Sequence, residues 1–345
     1  MDLSIIAILA QDGLTNGAVY VLVALALVLV FAVTRIIFLP QGEFVAFGAL
    51  TLVAFQNGVL PGTAWLLAVL ALLTTALDVR AALLAGRRRV LTRMVLVKLV
   101  LPLAVVALAW WAAPRQLPVF LQVVLSLAIV APLGPMIYRL AYQRLANAKV
   151  LILLIVSVGV HFMMVGLGLV FFGPEGSRVT PYVDASLSLG ELQFSGQSLM
   201  VIAVSLLLIL ALAFFFSRTF YGKALIATAM NRSGARLMGI STTMAGKLSL
   251  FMASFIGALS GILIVPSTAI YYDSGFLIGL KGFVGAILGG LISYPLAALG
   301  AVMVGLLESF SSFWASEYKE VIVFTAIIPI LLWRSMTTSH GGGDE

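Results

Sequence analysis

Residues 218–247 read RTFYGKALIATAMNRSGARLMGISTTMAGK, a basic stretch set between two long apolar runs. It holds Arg218, Lys223, Arg232, Arg236 and Lys247 and no Asp or Glu. Ala224 to Met238 is built of good helix formers, and Gly239 stands where a left-handed C-terminal cap is expected, so the spacing predicts one short helix. Arg232 and Arg236 are four apart and share a face, with Ala229, Leu237 and Met238 elsewhere on the helix. A short helix pinned to a membrane surface is a docking element for another protein. The plainer reading is a basic connector held inside the cell by its charge.

The flanking runs set the fold class. Of 345 residues, 62% are hydrophobic and 10% charged, and the mean hydropathy is +1.16, whereas soluble chains carry about 25% charged residues. Crossing a hydrocarbon layer of ~30 Å takes about 20 apolar residues. The expected fold is therefore an all-α polytopic membrane protein with about 9–11 transmembrane segments. They are placed at 13–34, 42–58, 62–79, 95–112, 119–138, 150–172, 198–217, 248–270, 276–292, 296–314 and 320–334. The glycine-rich 276–292 is the foremost candidate for a re-entrant segment. Residues 1–338 read as one transmembrane domain and 339–345 as a disordered tail. Nothing basic precedes the first apolar run, which argues against a cleaved signal peptide.

Orientation follows from Lys and Arg near segment ends. All but four of the 20 basic residues fall in alternate loops, at Arg35, at 80–98, at 139–149, in the 218–247 stretch and at Arg334; the exceptions are Arg115, Arg178, Lys281 and Lys319. The opposite loops carry Asp2, Asp12, Glu175, Asp184, Glu191, Asp273, Glu317 and Glu320. The N-terminus is placed outside and the C-terminus in the cytoplasm. This sorting accounts for the net charge of +7 without a nucleic-acid partner. The one sizeable outer loop, 173–197, has alternating stretches such as Leu187-Ser188-Leu189 and is too short for a domain.

Several chemistries are unsupported. The absence of cysteine excludes disulfides, thiolate metal sites and a Cys nucleophile. A phosphate-cradling loop needs Gly-Lys followed by Ser or Thr, but Gly222-Lys223 precedes Ala and Gly246-Lys247 precedes Leu. His340 lies in the tail, and His161 reads as a packed or hydrogen-bonded helix residue. No metal, cofactor or enzymatic constellation is expected.

Ionisable groups inside a bilayer carry a functional hypothesis by default. Glu43, in the run Pro40-Gln41-Gly42-Glu43, suggests a broken helix start lining a cavity. Glu308 and Lys281 lie in later segments. Either a carboxylate pairs with Lys281, a structural role, or these groups line a path for a polar solute. The pairs Gly13/Gly17, Gly257/Gly261 and Gly285/Gly289 are small-xxx-small spacings that let helices approach closely.

The run Gly13-Leu14-Thr15-Asn16-Gly17-Ala18-Val19-Tyr20, with Gln41-Gly42-Glu43-Phe44, Asn231-Arg232, 235–240 and 279–284, resembles the branched-chain amino acid permeases of ABC importers. Tyr138-Arg139 and Phe172-Gly173-Pro174 are similar too, and the likeness spans roughly 13–60 and 137–336. It implies a multi-pass permease subunit of the cell inner membrane that works with a second, related permease. Two cytoplasmic ATPases and a periplasmic solute-binding protein would complete the importer, whose solute is a branched-chain amino acid or a related small polar molecule. It places an ATPase-coupling loop at Ala224, Ala229, Asn231, Arg232, Ala235, Arg236, Leu237 and Gly239. It places a translocation path at Asn16, Gln41, Gly42, Glu43, Lys281 and Gly282. The sequence departs from the family at Phe38, Pro40 and Gln41, where Asn, Ala and His are usual. Residues 80–130 read as an insertion with two extra helices. The alternative is an ion-coupled secondary transporter using Glu43 or Glu308.

Overall fold

The computed structural model describes residues 3–86, 91–189, 192–291, 293–326, 328–329 and 332. Asp2, the triplet Arg87-Arg88-Arg89, Glu191, Arg334, His340 and the tail 339–345 lie outside them, as do residues 327, 330, 331, 333 and 334 of the expected segment 320–334. In chain order the helices are α1 (Leu3–Thr34), α2 (Gln41–Gln56) and α3 (Gly62–Leu84), then α4 (Leu91–Arg115), α5 (Val119–Leu145) and α6 (Val150–Phe172). A hairpin of β1 (Ser186–Leu189) and β2 (Leu192–Ser195) precedes α7 (Gly196–Arg218). After it come α8 (Phe220–Met230), α9 (Arg232–Leu237), α10 (Thr242–Ile264), α11 (Ser274–Leu288), α12 (Tyr294–Trp314) and α13 (Lys319–Thr325). Eight helices among the described residues are long and apolar enough to cross a membrane. The fold is all-α and polytopic, as the composition requires: with no water in hydrocarbon, each segment satisfies its backbone within a helix.

Helix α1 is the central post, packed against α12, α10, α11, α7 and α8. Helices α4 and α7 lie on the outside, with Trp110 and Phe214 among their exposed apolar side chains. The three small-xxx-small pairs all fall on helix contacts: Gly13 and Gly17 meet α12 at 302–306, Gly257 and Gly261 meet α2, and Gly285 and Gly289 meet Ala301 and Ala297. A similarly tight approach joins α2 to α11. There the carbonyl of Gly275 lies where a Cβ on Gly42 would stand, and Gly279 Cα would be 3.0 Å from that same Cβ.

Helices α2 (16 residues) and α11 (15 residues) reach about 24 and 22 Å, short of the ~30 Å layer. Gln41 to Glu43 at the start of α2 and Val284 to Ala286 near the end of α11 are buried in protein, a setting in which irregular backbone persists at membrane depth. Fourteen of the sixteen α2 residues, Gln41 to Val53 together with Phe55, are buried.

The segment expected at 248–270 begins earlier, because the Ser241 hydroxyl accepts from the Met244 N–H (3.3 Å) and caps α10 ahead of its apolar run. Lys247 therefore belongs to a helix and not to the loop. The alternation in 173–197 becomes the antiparallel hairpin, with Leu187 opposite Phe194. This loop clamps the end of α10. Arg178 donates to the carbonyls of Pro266 (2.9 Å) and Ser267 (2.8 Å), Tyr182 to that of Ile262 (2.8 Å) and Gln197 to that of Leu263 (3.2 Å). The Ile262 and Leu263 carbonyls are among the orphan acceptors that a helix end leaves, and those of Pro266 and Ser267 follow in the turn beyond it.

Candidate functional site

Two places bear on function, a polar cavity within the bundle and the basic foot at one end of it. The cavity has a volume of about 590 Å³. Asp12, Asn16 and Tyr20 line it from one face of α1, four residues apart along the helix. The α10–α11 link brings Ser267 and Thr268, and α11 brings Lys281. Glu308 comes from α12 and Lys319 from α13. The close approach of α1 and α12 at Gly13, Gly17 and Gly305 carries Tyr20 to Glu308.

Lys281 is 5% exposed. Its Nζ donates to Glu308 Oε1 at 2.6 Å and to Glu320 Oε1 at 3.1 Å. The Tyr20 hydroxyl donates to Glu308 Oε2 at 2.5 Å. Both Glu308 oxygens are thus occupied, and one buried cation is shared by two carboxylates. Of the two roles open to these groups, pairing of Lys281 with a carboxylate is the one observed. The same residues front the cavity, which presents Asp12 and Glu308 beside Lys281 and Lys319. A wall of both signs with hydroxyls and an amide suits a zwitterionic solute more than an apolar one.

Of the six path residues expected, Asn16 and Lys281 line this cavity; Gln41, Gly42, Glu43 and Gly282 do not. Gln41 donates from Nε2 to the Ala253 carbonyl (2.9 Å) inside the α2–α10 contact. Gly42 meets Gly275 and Gly279, and Gly282 lies against Val23 of α1. Glu43 is fully buried, with its Oε1 3.0 Å from His161 Nδ1. That contact has ion-pair distance without hydrogen-bond alignment. The helix break at Pro40–Glu43 is sealed by packing and lines no cavity wall. His161 is the packed helix residue expected, its ring 4.7 Å from that of Phe276. Asp12 and Lys319, which stand at segment ends, were missed as cavity residues. Their only signal is charge close to an apolar run.

The foot differs from the single helix expected over 224–238. It is two helices broken at Asn231, whose backbone is extended (φ −147°, ψ 98°) and whose Oδ1 accepts from the Gly234 N–H at 2.8 Å. Asparagine favours that capping geometry over continuing a helix. The left-handed cap falls at Gly239, with φ +83°. The Ile240 N–H reaches the Ala235 carbonyl (3.0 Å) and the Gly239 N–H the Arg236 carbonyl (3.1 Å), which is the Schellman arrangement.

Arg232 and Arg236 part company. Arg232 donates to the Ala146 carbonyl (2.9 Å), tying the foot to the end of α5, while Arg236 is exposed. Asn231, Leu237 and Gly239 are exposed, Ala224 and Ala229 half-buried, and Ala235 is buried. The foot projects Leu237 and Met238, 88% and 83% exposed, with Met230 beside them. Met230 and Met238 were not among the coupling residues expected, although apolar side chains inside a polar loop are the available signal. On its other side the foot is anchored: Leu225 of α8 packs with Leu29 and Val33 of α1 and Ala245 of α10. A displacement of α8 is therefore passed to the helix that carries Asn16 and Tyr20.

Comparison with known proteins identifies the family. BraD of Pseudomonas aeruginosa, a high-affinity branched-chain amino acid transport system permease protein, is 26% identical over 216 residues, 61% of this chain and 70% of that protein. LivH of Escherichia coli, described in the same words, is 28% identical over 214 residues, covering 60% and 70%. A probable branched-chain amino acid transport permease protein of Methanocaldococcus jannaschii is 28% identical over 234 residues, covering 60% and 71%. Residues 9–331 match the family described as "Branched-chain amino acid transport system / permease component", and the chain belongs to that family.

Proposed function

We propose that this chain is the permease subunit of an ABC importer in the cell inner membrane, carrying branched-chain amino acids or related small polar solutes. The observation that carries this reading is the family match over residues 9–331. It is supported by a capped foot that offers exposed Leu237 and Met238 beside an exposed Arg236. Two cytoplasmic ATPases dock on that foot, a second related permease completes the path, and a periplasmic solute-binding protein delivers the solute. ATP hydrolysis belongs to the partner chains. The N-terminus lies outside and the C-terminus in the cytoplasm, in keeping with the sorting of basic residues. Residues 1–338 act as one transmembrane domain with 80–130 inserted.

Closure of the ATPases moves α8 and α9; α8 shifts α1, and the cavity changes its open side. The solute's ammonium is attracted by Asp12 and its carboxylate by Lys319, at the outer mouth. Lys281, held by Glu308 and Glu320, supplies positive charge along the wall. Energy enters through the foot, so the bundle needs two conformations of similar stability rather than a tight solute site. The ion-coupled alternative has no support from the family. It also meets an occupied Glu308, held by Lys281 and Tyr20.

Gly239→Val tests the coupling. A Cβ there meets nothing within 4 Å, so the variant has room and suffers only the left-handed backbone, about 1–2 kcal/mol. Insertion and yield are expected to be unchanged, while solute-stimulated ATPase activity of the assembled transporter falls on the order of tenfold. Normal stimulation in that variant would remove the foot from the mechanism.

A further inference from the structure

A second cavity, away from the polar one, has a different chemistry. It lies between α3, α4, α5 and α10 and has a volume of about 690 Å³. Val97, Leu101, Val105, Leu127 and Phe251 are among the apolar side chains of its walls. Charge is confined to Asp78, Lys98, Arg139 and Lys247. A smaller space of about 270 Å³ lies beside the same charged group, walled by Ala81, Ala82, Ala85 and Met94 and again by Asp78, Lys98 and Lys247. The charged cluster therefore stands where a long apolar groove meets a small chamber.

The cluster is unbalanced. Asp78 accepts from Lys98 at Oδ2 (2.5 Å) and from Arg139 Nε at Oδ1 (2.6 Å). One carboxylate thus faces two cations, and Lys247 is a third, among whose charged neighbours are these same residues. The Lys247 ammonium makes no hydrogen bond or ion pair with any described residue. Two positive charges are left over at the edge of a low-dielectric region, where an unpaired charge is costly and an anion is the natural complement. A local backbone feature coincides with this. Lys98 and Arg139 each lie in a five-residue π-helical turn, Leu96–Val100 and Tyr138–Tyr142. Such turns are rare and gather at functional sites.

We propose that this groove binds an anionic phospholipid. Its phosphate sits against Lys98 and Lys247, one acyl chain lies along the apolar wall, and the rest of the headgroup reaches the small chamber. The basic loops place the cluster in the cytoplasmic leaflet, where pockets of Lys and Arg between transmembrane helices recognise acidic headgroups. The groove opens beside α4, on the outside of the bundle, where lipid is the solvent. Charge complementarity favours an acidic lipid over a neutral one, and the apolar wall favours a lipid over a free anion. The assignment gives the 80–130 insertion a task, since α4 supplies Val97, Lys98, Leu101 and Val105. It does not rest on the transport reading.

The test uses the assembled transporter in nanodiscs of equal phosphatidylglycerol and phosphatidylcholine with identical acyl chains. Lipids retained after mild detergent extraction are identified by native mass spectrometry. Phosphatidylglycerol is expected to be enriched on the order of tenfold. Lys247→Gln and, separately, Lys98→Gln are expected to remove most of that enrichment. Excess inorganic phosphate is expected to leave the lipid in place; displacement by phosphate would reassign the cluster to a free anion and overturn the proposal. Equal retention of the two lipids by the wild-type protein would overturn it too, whatever the yield of either variant. So would efficient crosslinking of a Val97→Cys thiol to a second permease subunit, which would make the groove a protein interface.

Discussion

Lys281→Met is expected to reduce solute uptake by the assembled transporter on the order of 100-fold. The side chain removed is the cation that Glu308 and Glu320 share. Breaking a buried pair by deleting one partner costs about 3–5 kcal/mol, because the surviving charge has no compensation. Here two carboxylates survive. The effect has two parts, separable by measurement. Folded yield after detergent extraction reports the loss of the pair, and Lys281→Met combined with Glu308→Gln is expected to recover much of it. Uptake in proteoliposomes reports the cavity wall, and the double variant is expected to remain impaired. Wild-type uptake in Lys281→Met would show that the pair neither holds the bundle nor faces the solute.

Gly42→Val is expected to prevent the α2–α11 contact from closing. The new Cβ falls on the Gly275 carbonyl, and no flexible side chain is available to move aside. Overpacking a core costs about 1–3 kcal/mol and occasionally more, and a backbone-to-backbone clash belongs at the upper end or beyond. In size-exclusion chromatography the monodisperse peak should shrink or vanish. Gly166→Val is the control: on α6 a Cβ at Gly166 meets nothing within 4 Å, and that variant should elute like the parent. Equal behaviour of the two would mean that α2 and α11 do not pack as described.

Much of this architecture was legible in the sequence, for a physical reason. Hydrocarbon solvent forces long apolar runs into helices, so runs such as 62–79 and 150–172 show the segments directly. The small-residue spacings marked the closest contacts because only glycine and alanine let backbones meet. The Gly239 cap was legible for the same local reason. What could not be read depends on distant partners. Glu43 and His161 meet across α2 and α6, and nothing near either residue announces the other. Asn231 breaks the foot because its side chain caps α9, a competition that helix propensity summed over 224–238 overlooks. Arg232 is drawn away from its i+4 neighbour by the carbonyl of Ala146. The polar cavity was half visible: Asn16 and Lys281 were expected to line a path. Asp12 and Lys319 join them only in the folded bundle, where α1 and α13 border the same cavity.

The central claim is that a separate motor drives this chain through the foot at Leu237. The sequence contains no cysteine, so Leu237→Cys installs a unique thiol at the tip. In the assembled transporter, a short bifunctional thiol reagent is expected to join that position to an ATPase subunit, with a yield that changes when ATP binds. Labelling of the same thiol by a membrane-impermeant maleimide added to the outer face of intact cells would contradict the account.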